Sequence, residues 1–213
     1  MSELFQITQL SLTISGLATL ISLLIGLPLG TLLGLARFPG RSVALSLVNT
    51  GMGLPPVVVG LAVAMLLWRS GPLGELRLIY TPAAIIIAQT VISAPVVTGL
   101  TAAALQALDP RLKLQLYGLG ASRWQMIWML WREARLPLLA ALMAGFGSVI
   151  SEVGASMMVG GNIRYQTRVL TTAIVLETSR GNFAFAIGLG ILLLAITFLV
   201  NWALTWIQQR SAG

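Results

Sequence analysis

The chain has 213 residues, 57% of them hydrophobic and only 9% charged, with a formal net charge of +7. A soluble domain carries about 25% charged residues, so this composition cannot furnish a water-facing surface. Cysteine and histidine are both missing, which excludes disulfides, thiolate metal sites and most nucleophile–base pairs, and argues against an enzyme.

The charges are also clustered. No charged residue lies between Glu3 and Arg37, Arg41 and Arg69, Arg77 and Asp109, or Arg180 and Arg210. Each gap exceeds the roughly 18–20 apolar residues that carry a helix across a bilayer. A fifth apolar run, residues 136–159, is interrupted only by Glu152. The runs lack the period-two alternation of an outer-membrane barrel, and helices satisfy their own backbone in lipid. The pattern predicts an all-α integral membrane bundle of about five transmembrane helices, spanning residues 10–35, 43–68, 82–106, 136–159 and 183–207.

In the first span, Gly26, Gly30 and Gly34 recur every four residues. They share one helix face on which a neighbour can approach closely. Pro28 lies within that stripe and is expected to kink the helix. Trp68 and Tyr80 flank the loop after the second span, and Trp202 and Trp206 close the last one, as aromatics at the headgroup level do.

The segment between the third and fourth spans carries the clearest local signals. Residues 107–137 read ALDPRLKLQLYGLGASRWQMIWMLWREARLP. Asp109 and Pro110 make a strong helix start, an N-cap carboxylate followed by proline at the first helical position. That short helix is expected to end near Gly118 or Gly120. Ser122 then caps a second helix, with Gln125 as its capping-box partner. In it Trp124, Ile127, Trp128 and Trp131 share a face at the i, i+3, i+4, i+7 positions, predicting an interfacial helix that turns at Pro137 into the fourth span. The segment reads as helix, glycine break, helix: a rigid knob suited to docking into a partner.

With residues 107–135 placed inside, eight basic residues (Arg37, Arg41, Arg111, Lys113, Arg123, Arg132, Arg135, Arg210) face five outside (Arg69, Arg77, Arg164, Arg168, Arg180). This asymmetry puts the N-terminus outside and the C-terminus in the cytoplasm. Basic residues that mark loops in this way leave no case for nucleic acid as a partner.

The knob resembles the cytoplasmic coupling segment of permeases of ABC importers that work with binding proteins. Gly120-Ala121-Ser122 and Leu136-Pro137 match that signature. The acidic-alanine triplet is replaced by Leu114-Gln115-Leu116, and the Leu-Pro falls about one turn later than usual. NTGMGLPPVVVGLAV at 49–63, GPLG at 71–74 and SEVGASMMVGGNIRYQTRVLTTAIVLETSRGNF at 151–183 resemble the tungstate-type permease subunit, with molybdate and sulfate permeases sharing the general pattern.

The resemblance implies one transmembrane permease domain over residues 1–213, of the type I importer fold, with residues 107–135 as its cytoplasmic coupling segment. It implies an inner-membrane, multi-pass subunit of a prokaryote that imports an oxyanion, tungstate in first place and molybdate or sulfate as alternatives. Its partners would be a second copy of itself, two ATPase subunits and an external binding protein. The chain has no G-x-x-x-x-G-K-[ST] loop, so ATP and Mg would be bound by the ATPase and not here. Asp109, Pro110, Arg111, Gly120, Ala121 and Ser122 would form the ATPase-coupling site.

A continuous helix from Leu136 would place Glu152 roughly 24 Å along, in the outer third of the bilayer. An ionised carboxylate there needs water or a partner. Two readings follow: Glu152 faces the pathway near the outer gate and pairs with Arg164 or Arg168 when the gate is closed, or it is a structural group hydrogen-bonded to a neighbouring helix. Gly154, Asn162, Arg164 and Arg168 complete the expected gate region, where Asn162 and the two arginines would meet either the departing anion or the binding protein. Residues 169–178 are apolar enough for a short outer helix. A competing class is a proton-coupled secondary transporter or channel relaying protons through Glu152.

Overall fold

The computed structural model describes residues 2–210. Among these every regular element is helical: α1 (Ser2–Leu35), α2 (Arg41–Met52), α3 (Pro56–Leu67), α4 (Pro82–Gln106), α5 (Pro110–Gly118), α6 (Arg123–Glu133), α7 (Arg135–Ile150), α8 (Gly154–Gly160), α9 (Leu170–Ser179) and α10 (Phe183–Arg210), with a single 3-10 turn at Gly74–Leu76. Three helices, α1, α4 and α10, are long and apolar enough to cross a membrane unaided.

The α1–α4 pair is the spine, and the glycine stripe of α1 makes it. A Cβ on Gly26 would stand 2.8 Å from Val97, and one on Gly30 would stand 2.6 Å from the carbonyl oxygen of Thr98. At Gly34 it would meet Ala102 and Leu105 at 3.1 Å. The two backbones therefore approach as closely as the expected small-residue face allows. α1 runs on as one helix through Pro28.

Two of the expected spans are not continuous helices. The run 43–68 is the pair α2–α3, bent by 102°. The bend sits at Gly53, Leu54 and Pro55. Proline drives the residue before it out of the helical region; Pro55 is extended and Pro56 takes the first position of α3. Hydropathy alone hides this break, while the double proline announces it. The run 136–159 also divides. α7 stops at Ile150 and α8 restarts at Gly154, so Glu152 lies in the break and not along a helix face. On the other side, α6 and α7 meet at 74°. The turn comes at Ala134, a few residues before Pro137, which sits in the first turn of α7 where a missing N–H costs nothing.

Three apolar clusters hold the bundle. Ile14, Val59, Val63, Leu67, Ile85, Ala155 and Val159 join α1, α3, α4 and α8. Ile7, Leu170, Ala173 and Leu189 join the start of α1 to α9 and α10. Leu105, Leu116, Met126, Leu130 and Ala134 lock the end of α4 to α5 and α6. α1 has 34 residues, so it is about 51 Å long. Leu4 and Leu35 join different clusters, so the start of α1 and the α5–α6 knob occupy opposite ends of the molecule.

Candidate functional site

At the knob, the sequence signals become geometry. An Asp109 carboxylate oxygen accepts from the Arg111 N–H at 2.8 Å, and Pro110 occupies the first position of α5. Gly120 turns the chain with φ +76°, a left-handed conformation that costs an L-residue with a side chain. Ala121 returns its N–H to the Leu116 carbonyl at 3.0 Å. The capping box at α6 is complete: Ser122 N donates to Gln125 Oε1 at 2.8 Å, and Gln125 N to Ser122 Oγ at 3.4 Å. Asp109, Pro110, Arg111, Gly120, Ala121 and Ser122 are thus gathered in one short helix–turn–helix.

Leu116 is the anchor, 4% exposed among Leu105, Met126 and Leu130. Around it the knob presents apolar side chains outward: Leu114, Tyr117 and Leu119 are all exposed, Leu119 by 83%. Exposed apolar surface of this kind is characteristic of interaction sites. Burial, with Arg37 and Arg41 close by, lowers the pKa of Lys113, so these three cations gather at the root of α5.

Of the aromatic face of α6, Trp124 and Trp128 are exposed. Trp131 instead turns inward and donates its indole N–H to Thr31 of α1 at 2.9 Å. The sequence pattern placed the tryptophans on one face but did not separate the inward one from the others.

Glu152 is buried, with 6% exposure. Its Oε1 accepts the N–H of Ala155 at 2.9 Å, and its carbonyl accepts the Thr171 hydroxyl at 2.8 Å. The carboxylate therefore caps the start of α8, and its backbone ties the α7–α8 break to α9. Gly154 beside it has no room for a side chain: a Cβ would stand 2.6 Å from Val57 of α3. One helix away, Gln89 of α4 donates to Ser156 of α8 at 3.3 Å, a buried link that sequence reading missed.

In this structure Arg164 and Arg168 both meet Glu3. Arg164 Nε donates to Glu3 Oε1 at 2.9 Å, and its Nη2 pairs with the other oxygen. Arg168 Nη1 reaches Glu3 Oε1 at 3.3 Å, and Arg168 Nε donates to the Asn162 side-chain oxygen at 3.3 Å. Arg164 is held further into its charged form by the hydrogen bond to Glu3 and then by the charge attraction. Glu3, overlooked in the sequence, belongs to this cluster; its signal was an acid standing alone before a long uncharged run. The expected gate residues thus form two groups, Glu152 with Gly154 at the α7–α8 break, and Asn162, Arg164 and Arg168 around Glu3.

Residues 26–213 match the family described as the binding-protein-dependent transport system inner membrane component. The chain belongs to that family and is a multi-pass membrane subunit of such a transport system. It is 39% identical, over 100% of its length and 94% of the relative's, to a probable anion ABC transporter permease protein of Haloferax volcanii. It is 38% identical to the tungstate uptake system permease protein TupB of Peptoclostridium acidaminophilum, covering 98% of this chain and 91% of that one. In fold it is similar to a chain of the MetNI methionine ABC transporter in an inward-facing conformation, with a TM-score of 0.80 at 21% identity, covering 99% of this chain and 97% of that one. The architecture is that of an ABC-importer permease.

Proposed function

We propose that this chain is the permease subunit of an ATP-driven importer for a tetrahedral oxyanion, tungstate first. The observation that carries the reading is the capped α5–α6 knob on a chain 38% identical to a relative named for tungstate uptake. Two copies of the chain form the pathway as a homodimer. Two separate ATPase subunits bind ATP and Mg and carry out the hydrolysis, and an external binding protein delivers the anion. Residues 1–213 act as one permease domain, with residues 107–135 as its coupling segment.

α5 seats in a groove of the ATPase through Leu114 and Tyr117. Asp109, Pro110 and Arg111 fix its start, and Gly120, Ala121 and Ser122 fix its angle to α6. Motion of α5 passes through Leu116 to α4 and α6, and through Trp131 to α1. The end bearing α5, with Arg37, Arg41 and Lys113, faces the cytoplasm, in keeping with the excess of basic residues on the inside. The start of α1 is then outside. The C-terminal end of α10 is inside, since Gln208 reaches the Leu136 carbonyl beside the knob. The break holding Glu152 and Gly154 lets α7 and α8 change their relative angle as the gate opens, and Asn162, Arg164 and Arg168 stand at the outer mouth.

Tungstate, molybdate and sulfate share charge and shape, so the binding protein makes the first selection. The test is uptake into proteoliposomes holding the permease, its ATPase and its binding protein, with the three anions supplied singly. Uptake is expected to need ATP and to favour tungstate over sulfate. A preference for molybdate or sulfate would reassign the cargo.

A further inference from the structure

Three guanidinium nitrogens converge on the carboxylate of Glu3: Arg164 Nε and Nη2, and Arg168 Nη1. Arg168 is the deeper of the two, its side chain 13% exposed against 57% for Arg164. It is held by Asn162 through both the side-chain and backbone oxygens, at 3.3 and 3.5 Å. Two guanidinium charges meet one carboxylate here, so the cluster keeps one uncompensated positive charge.

The cationic half of this cluster is built to stay in place. The segment 161–168 takes positive φ at Gly161, Asn162 and Tyr165. The N–H groups of Gln166, Thr167 and Arg168 all donate to the Ile163 carbonyl, at 3.0 to 3.1 Å. Thr167 Oγ1 accepts from Ile163 N at 2.9 Å and donates to the Gly160 carbonyl. The anionic half, by contrast, sits in the first turn of α1, where a helix lacks intrahelical partners for its N–H groups and opens most readily.

Beside the cluster lies a cleft of about 270 Å³, lined by Gln6, Gln9, Thr13, Tyr165, Gln166 and Arg168 together with two apolar residues of α1. Amide N–H₂ groups, hydroxyls and a guanidinium are all donors to an oxyanion. An arginine fork accepts a carboxylate or a tetrahedral oxyanion by the same two-oxygen geometry. A dianion neutralises both arginines where Glu3 neutralises only one charge.

We propose that Arg164 and Arg168 form an anion site at this end of the bundle, occupied by Glu3 at rest and taken over by a tetrahedral dianion, which displaces the carboxylate and enters the neighbouring polar cleft. Displacement also frees the first turn of α1 from the 161–168 segment. The inference rests on the oxyanion reading above for its biological cargo, but its test does not need transport.

The experiment is thermal unfolding of the purified full chain in nanodiscs at constant ionic strength, with tungstate, molybdate or sulfate against chloride. Glu3→Gln is expected to unfold at a lower temperature in chloride and to recover in millimolar dianion. It should bind the dianion about tenfold more tightly than the parent, since the charged competitor is gone. The double variant Glu3→Gln with Arg168→Gln should show no recovery. Loss of stability in Glu3→Gln that no dianion restores would make the cluster a clamp and overturn the proposal. Should Glu3→Gln not fold, the parent is compared with Arg168→Gln: a dianion-induced rise in the parent that Arg168→Gln abolishes supports the site, and equal responses sink it. ATP-driven tungstate uptake without dianion rescue would remove this site and leave the importer reading intact. Rescue without uptake would do the reverse.

Discussion

The indole N–H of Trp131 donates to the hydroxyl of Thr31 at 2.9 Å, joining α6 to α1 across a hundred residues of sequence. Thr31 is free to accept because its own hydroxyl proton is spent on the Leu27 carbonyl at 2.6 Å. This bond is a strut between the knob and the helix that forms the spine of the bundle. Trp131→Phe keeps most of the ring and removes the donor, at a cost of about 1 kcal/mol. The expected result is ATP hydrolysis that is less tightly matched to uptake in the reconstituted transporter. An unchanged ratio of anion moved to ATP consumed would show that the strut carries no motion.

The α1–α4 contact predicts a sharp contrast between two glycines of one helix. A methyl group on Gly30 meets the Thr98 carbonyl at 2.6 Å, and backbone cannot step aside. A methyl group on Gly16 meets nothing within 4 Å. Gly30→Ala should destabilise the chain by about 1–3 kcal/mol through overpacking. Gly16→Ala should be neutral or slightly stabilising, since alanine is the better helix former. Thermal unfolding in detergent checks both, and equal behaviour of the two would contradict the packing described.

At Glu152 the hydrogen bond to Ala155 decides which substitution matters. An oxygen acceptor is what Ala155 N–H needs, and glutamine supplies one without a charge. Glu152→Gln should therefore stay near the parent in stability, while Glu152→Ala loses the cap at about 1 kcal/mol. If glutamine proves as damaging as alanine, the charge itself is required and an ion-pairing role returns.

Gly120 makes a turn that is strained for any other residue, although a Cβ there would touch nothing within 4 Å. Gly120→Ala should cost about 1 kcal/mol and misdirect α5, whereas Gly120→Asn, which tolerates the left-handed region better, should cost less. ATPase assays of the assembled complex with and without the binding protein report the effect. Identical stimulation in parent and both variants would remove this turn from the coupling path.

Much of this molecule is legible in its sequence where the signal is local. Asp109-Pro110 and Ser122 with Gln125 specify their caps within four residues, and the structure forms both. The glycine stripe of α1 names a packing face, though not that α4 fills it. Hydropathy reads less well where backbone chemistry interrupts it. It ran straight through Pro55-Pro56 and through Glu152, because both breaks lie inside runs that are apolar enough to look continuous. Long-range pairs were the least accessible. Nothing near Arg164 points to Glu3, and nothing near Trp131 points to Thr31. Those partners are set by how α1 lies across the bundle.

The most direct test of coupling through α5 uses the chain's lack of cysteine. Leu114 projects from the middle of α5 and is 71% exposed. Leu114→Cys, combined with single cysteines placed around the candidate groove of the ATPase, allows a disulfide to report the contact. The expected result is a cross-link between the two subunits that blocks anion uptake and is reversed by reductant. An assembled, transporting complex in which Leu114→Cys never cross-links to the ATPase, while cysteines elsewhere on the permease do, would contradict it.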